Sequence, residues 1–324
     1  MKHSSRNNIS SRVFWVASLA IITLCVVAAP VSRASKVARP SPVQIALQPP
    51  PGTADKTATV FGEKIHYLEA GSGPAVVLLH GLGGDASNWY STIGPLSTKY
   101  RVIVPDQIGF GQSSKPLINY RVATLVDFLD GFFKELKIDR ASVVGNSLGG
   151  WTAAAFAIAH PEKVDRVILV DAAGLTPDRP LDPRTLSALN PSTREGIKQV
   201  MSVVFYNKQI FDNPAVIDML FTKKMETGDG YTIQRFIESV SRGEDLLDKT
   251  ASQIKQPTLV VWGREDALVP LSMGEGFHKL IGGSEMFVID KCGHVPMIEQ
   301  AEQFNTALMK FLAGEHVEGA AALK

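Results

Sequence analysis

Val143-Val144-Gly145-Asn146-Ser147-Leu148-Gly149-Gly150 is the stretch whose reading decides the fold. An apolar run stops at a sharp turn, a serine sits at its tip, and an alanine-rich segment follows. A serine hydroxyl is a weak nucleophile at neutral pH and must be exposed, oriented and deprotonated by a neighbour before it attacks anything. The G-x-S-x-G pattern supplies the exposure. The serine occupies a strained strand-to-helix turn, and small residues two positions to either side let strand and helix pass closely. A glycine-rich turn with an incidental serine has the same five letters, so the rest of the chain has to supply the partners.

On both sides of this stretch the same rhythm repeats. Residues 75–79, 101–105, 141–145, 164–170, 258–262 and 286–289 are short apolar runs, the pattern of strands buried on both faces. Helix-like segments at 87–99, 122–136, 148–160, 271–280 and 301–312 intervene, and 57–70 alternates around Gly62-Glu63 as an antiparallel hairpin. Alternating β and α predicts an α/β fold: a mostly parallel eight-stranded sheet covered by helices on both faces. Residues 175–255 break the rhythm and are too long for a loop. With apolar positions such as Val200, Val204, Phe205, Phe211, Met219 and Leu220, they read as an inserted helical cap. The expected core is therefore 57–174 with 256–314, followed by a flexible tail at 315–324.

The N-terminus reads as a targeting segment. Lys2, Arg6 and Arg12 precede an apolar run at 13–29, and Ser32-Arg33-Ala34 offers a small-x-small cleavage site. Residues 1–34 are expected to be an export signal, or else an uncleaved anchor that associates with a membrane. Six prolines between Pro30 and Pro51 make 35–56 a linker. Of two cysteines, Cys25 lies in the apolar run, so Cys292 alone remains in the body and neither a disulfide nor a cysteine zinc site is expected there. A net charge of +1, with no basic tract interleaved with aromatics, argues against a nucleic-acid partner.

Ligands in such sheets bind where strands end at their carboxyl side. After Leu79 comes His80-Gly81-Leu82-Gly83-Gly84, whose turn can point N–H groups inward. The backbone N–H groups of Leu82 and Leu148 are the candidate oxyanion hole, with His80 bracing the loop. Asp266, after the run ending at Trp262, is the candidate acid that orients a histidine; Asp171, at the end of another run, is the runner-up and reads first as a residue pinning the turn into the cap. Glu265 is expected to be a surface charge. His294, after Gly293 in the loop before the last helix, is the candidate base for Ser147. The turn Asp106 to Ser114 lacks the third glycine and the lysine of a phosphate loop and reads as a buttress.

The order Ser147, Asp266, His294, together with His80-Gly81, Asp106-x-x-Gly109-x-Gly111-x-Ser113, Gly263-x-x-Asp266 and Gly293-His294, resembles the α/β-hydrolase superfamily from about residue 57 to 314. Asn146, Asp171-Ala172-Ala173-Gly174 and Gly293-His294-Val295-Pro296-Met297 are similar to bacterial lipases of the Moraxella and Psychrobacter type and to the monoacylglycerol-lipase-like branch. Meta-cleavage-product carbon–carbon hydrolases share a similar serine motif and cap. The resemblance implies Ser147 as nucleophile, Asp266 as acid and His294 as base, with no cofactor and no metal. Serine at the nucleophile position sets the chain apart from haloalkane dehalogenases and epoxide hydrolases, which carry aspartate there. The expected activity is hydrolysis of a carboxylic, lipid-like acyl ester through an acyl-enzyme intermediate, with a carbon–carbon hydrolase as the alternative and a non-enzymatic binding protein as the third.

Overall fold

A computed structural model describes residues 48–178, 183–317, 319 and 321–322. The expected export segment at 1–34, most of the linker, and the cleavage site lie outside the described residues. Among the described residues, no helix is long and apolar enough to cross a membrane.

In chain order, the elements are strands β1 (Ala54–Val60), β2 (Glu63–Ala70) and β3 (Ala75–Leu79), helix α1 (Tyr90–Ser97), β4 (Arg101–Pro105), α2 (Val122–Glu135), β5 (Ala141–Asn146), α3 (Leu148–Ala159) and β6 (Val164–Val170). The cap supplies α4 (Pro183–Ala188), α5 (Arg194–Val204), α6 (Pro214–Thr227) and α7 (Gly230–Ser241). The chain then returns to β7 (Thr258–Gly263), α8 (Leu271–Leu280), β8 (Glu285–Ile289), α9 (Pro296–Glu299), α10 (Ala301–Leu312) and β9 (Ala321–Ala322). The sheet order is β1-β2-β4-β3-β5-β6-β7-β8-β9. Strands β3 to β8 are mutually parallel, β1 and β2 are antiparallel additions at one edge, and β9 is antiparallel at the other.

Two boundaries differ from the sequence reading. β1 starts at Ala54, inside the expected linker, because its first residues pair across to Glu69, Leu68 and Tyr67 of β2. Ala321 and Ala322, expected in a flexible tail, pair with Met286 and Glu285 and add a short ninth strand. Neither residue carries a hydrophobic pattern, so the pairing rests on backbone hydrogen bonds that sequence periodicity does not report.

Val76, Val77, Leu78 and Leu79 are at most 1% exposed because α2 and α3 cover one face of the sheet and α1, α9 and α10 cover the other. Each such side chain contributes roughly 1.5–3 kcal/mol on burial. The strands are thereby held rigidly, and their carboxyl ends become a fixed platform. At the centre, α3 approaches the sheet closely. A Cβ on Gly149 would lie 2.3 Å from Leu79 O, and one on Gly145 would lie 2.1 Å from Gly149 O. Glycine on each side of Ser147 is thus a packing requirement of strand against helix.

Candidate active site

The turn between β5 and α3 puts Ser147 at φ 56° and ψ −118°, backbone space that a residue with a Cβ adopts only under constraint. The constraint is visible. Ser147 N–H donates to Val170 O at 3.0 Å, while Ser147 O accepts from Trp151 N–H at 3.0 Å and Ala173 N–H at 3.2 Å. The side chain is lifted clear of sheet and helix into a cavity of about 930 Å³ between the strand ends and the cap.

Asp266 lies in the turn after β7. Its Oδ1 accepts from the N–H groups of Leu268 at 2.8 Å and Val269 at 3.0 Å, which fixes the carboxylate plane. Its Oδ2 lies 2.7 Å from His294 Nδ1. With Nδ1 donating there, Nε2 is the ring nitrogen left to take a proton, and His294 lines the same cavity wall as Ser147. The side chains of Asp266 and His294 are 0% and 5% exposed, so water does not compete for their contact.

Leu82 and Leu148 line the same cavity. Leu148 is the first residue of α3, so its N–H lies among the helix donors without an intrahelical acceptor. The loop carrying Leu82 packs directly on the nucleophile: a Cβ on Gly81 would lie 3.1 Å from Ser147 Cβ. His80 braces that loop. Its Nε2 accepts from Gln107 N–H at 3.0 Å, so its Nδ1 is the protonated nitrogen and donates to Gly81 O at 2.8 Å. The Asp106 turn is the buttress beneath, its carboxylate accepting from Ala86 N–H, Gln112 N–H and His66.

Three contacts here carry no sequence signal of their own. Asn146 Nδ2 donates to His294 O at 2.9 Å and Val170 O at 3.2 Å, tying the serine turn to the histidine loop. His294 N–H donates to Val204 O at 2.8 Å, so the end of cap helix α5 holds the histidine backbone directly. Glu299 completes the link, accepting from Gly293 N–H at 2.8 Å and from Tyr206 N–H at 2.8 Å. Burial pushes its carboxyl up against the pull of those N–H groups. Asn146 stands out in sequence only as the neighbour of the serine, and Glu299 only as an acid in an otherwise apolar turn. Glu265 is exposed, as expected, and its Oε2 also accepts from Cys292 N–H at 3.0 Å.

Asp171, Asp266 and His294 offer donor atoms within 4.8 Å of one another, a grouping that also suits a metal ion. The 2.7 Å between His294 Nδ1 and Asp266 Oδ2 is a hydrogen-bond length. Two ligands of one tetrahedral zinc, each about 2.0–2.1 Å from the metal, stand roughly 3.3 Å apart. The arrangement suits proton transfer: a serine at a strained turn, a histidine whose far nitrogen is bound by a carboxylate, and two backbone donors nearby.

Residues 74–301 match the family model of the alpha/beta hydrolase fold, and the chain belongs to that family. It is 33% identical over 258 residues, 78% of this chain and 88% of the relative, to a 2-hydroxy-6-oxo-6-(2'-aminophenyl)hexa-2,4-dienoic acid hydrolase of Metapseudomonas resinovorans. Among solved structures, a meta-cleavage product hydrolase of Pseudomonas fluorescens IP01 superposes with TM-score 0.74 at 31% identity, covering 80% of this chain and 97% of that one. A membrane phospholipase A, described as a bacterial virulence factor, superposes with TM-score 0.72 at 29% identity over 81% and 86%.

Proposed function

We propose that the protein is a carboxylic ester hydrolase acting on esters with an extended apolar acyl group. Ser147 attacks the ester carbonyl while His294 takes its proton; the Leu82 and Leu148 N–H groups hold the oxyanion, and His294 returns the proton to the leaving alcohol. Water, activated by the same histidine, then releases the acid from Ser147.

The observation that carries this reading is the charge pattern of the cavity wall. Its cap side is aliphatic and aromatic, with Ile197, Met201, Val204, Phe205, Leu220 and Phe236. Among the described lining residues, the lysines are Lys223 and Lys224, and no arginine is present. Both lysines are already in ion pairs: Lys223 Nζ lies 2.7 Å from Asp85 Oδ2, and Lys224 is paired with the buried Asp229. A neutral acyl ester fits such a wall without uncovering a charge. A dienoic acid brings a carboxylate, and the lysines on this wall are already neutralised by Asp85 and Asp229.

The second reading, a carbon–carbon hydrolase, is favoured by the relatives whose names specify hexadienoic acid or hexadienoate hydrolases at 33–34% identity. Hydrolysis of p-nitrophenyl esters of rising chain length, beside a dienoic ring-fission product, separates the two. Ester turnover that depends on Ser147 supports the proposal. Absence of ester turnover, or turnover unaffected by Ser147→Ala, sinks it, and fast dienoate cleavage with negligible esterase activity promotes the alternative.

The charged start and apolar run at 13–29 support an exported enzyme, with that segment as either signal or anchor. Fractionation of cells making the full chain tests this, since recovery from the soluble cytoplasm would contradict it.

A further inference from the structure

The chemistry above uses one carboxylate, but the site contains a second. Asp171 ends β6 with 0% exposure and a left-handed φ of 45°. Its N–H donates to Val261 O at 3.0 Å and its Oδ1 accepts from Gly263 N–H at 2.9 Å, which fixes it to β7. Its other oxygen, Oδ2, is buried and has no hydrogen-bond partner among the described residues. Within 4.8 Å of one another lie donor atoms of Asp171, Asp266 and His294.

An ionised, unpartnered carboxylate oxygen is costly in a buried site, and an adjacent anion makes it costlier. The two carboxyls are not equally served. Asp266 receives the N–H groups of Leu268 and Val269 and the ring of His294, three donors in all. Asp171 receives one, from Gly263. The proton that such a pair retains therefore belongs on Asp171, at the oxygen without a donor, where it turns an orphaned acceptor into a donor.

We propose that Asp171 is a positioning residue of the triad: a neutral acid whose Oδ2–H is directed at Asp266 and confines the negative charge to the carboxylate that holds His294. Burial, and then the charge of Asp266, push the Asp171 carboxyl well above the usual carboxylate range. The other groups facing this corner are Glu299 and Cys292, the thiol of which is pushed up chiefly by burial. Glu265 lies beside them on Cys292 N–H. The proton stays on Asp171 throughout the cycle. By donating toward Asp266 it makes that carboxylate less basic, so Asp266 binds the imidazolium without taking its proton.

The inference rests on Ser147, Asp266 and His294 as a triad and not on the ester as substrate. Its first test needs no substrate. The infrared spectrum of the wild type at neutral pH should contain a protonated-carboxyl C=O band that is missing from Asp171→Asn. The second test is kinetic, with rates normalised to serine labelled by a fluorophosphonate. Asp171→Leu removes the donor and should lower kcat by about 10–100-fold, the range for losing a group that orients a functional residue. Asp171→Asn, whose amide again accepts from Gly263 and donates toward Asp266, should recover about tenfold of that loss.

In Asp171→Leu the acid limb of kcat/KM should move to higher pH, because a more basic Asp266 holds the imidazolium more tightly. Absence of the infrared band, an Asp171→Asn variant as impaired as Asp171→Leu, or an unmoved acid limb would overturn the proposal. If Asp171→Leu does not fold, the infrared comparison of wild type with Asp171→Asn decides it. A band present without any ester turnover would leave this inference standing and remove only the substrate assignment.

Discussion

Replacing Glu299 by glutamine tests how the cap and the histidine loop are joined. Glu299 Oε1 accepts from Gly293 N–H at 2.8 Å, and Oε2 from the N–H groups of Tyr206 at 2.8 Å and Asn207 at 3.3 Å. The residue is 9% exposed, so water is poorly placed to substitute. A glutamine keeps one acceptor oxygen and turns an NH₂ toward the other set of N–H groups. It can therefore serve the histidine loop or the end of α5, but not both. Leaving one or two buried N–H groups unpaired costs about 1–3 kcal/mol each, so a loss of roughly 2–4 kcal/mol is expected. At about 2–4 °C per kcal/mol for a body of this size, Tm should fall by roughly 5–15 °C.

Because Gly293 directly precedes His294, displacement of the loop should also lower kcat by about tenfold or more while KM changes less. Scanning calorimetry with steady-state kinetics at mildly alkaline pH, where the carboxylate is favoured, checks both numbers. A Tm within about 2 °C of wild type together with an unchanged kcat would refute the view that this side chain carries the link.

Two further outcomes follow from packing and charge. Gly149→Ala brings a Cβ to 2.3 Å from Leu79 O, a backbone atom that cannot swing away, so the variant should be insoluble or lose about 10 °C or more in Tm; a normal melting curve contradicts the close passage of α3 over the sheet. Burial pulls the pKa of His66 down, but its hydrogen bond to Asp106 and the charges of Asp106 and Asp55 raise it overall above 6.5. The stability it contributes is thus fully present below about pH 6.5 and is lost as pH rises through the higher folded value. Wild type should lose Tm relative to His66→Gln over that window, and a constant difference between the two would contradict the charged-pair account.

The parts of this fold that show in the sequence are those governed by local rules. Residues 75–79 and 259–262 are continuous apolar runs because those strands are buried on both faces, and the glycines around Ser147 are fixed by the approach of α3. Ser147, Asp266 and His294 were legible because each follows a strand, and parallel strands bring their carboxyl ends to one edge. What could not be read depends on contacts between distant segments. Glu299 meets Tyr206 across 93 positions, and Asn146 meets His294 across 148, with no periodicity to announce either. Asp171 shows the boundary well. The sequence placed it at a strand end as a second carboxylate, but only the fold shows its unpartnered oxygen next to Asp266. The cap was visible as an interruption, whereas the pairing of Lys223 with Asp85 required the folded chain.

The most direct test of the central claim is to trap the acyl-enzyme. A p-nitrophenyl ester is mixed rapidly with wild type, quenched within the first turnover and digested for mass spectrometry. The account predicts a stoichiometric burst of nitrophenol and an acyl adduct on the peptide that contains Ser147, both absent from Ser147→Ala. Turnover without an adduct, or an adduct on any other residue, would contradict it.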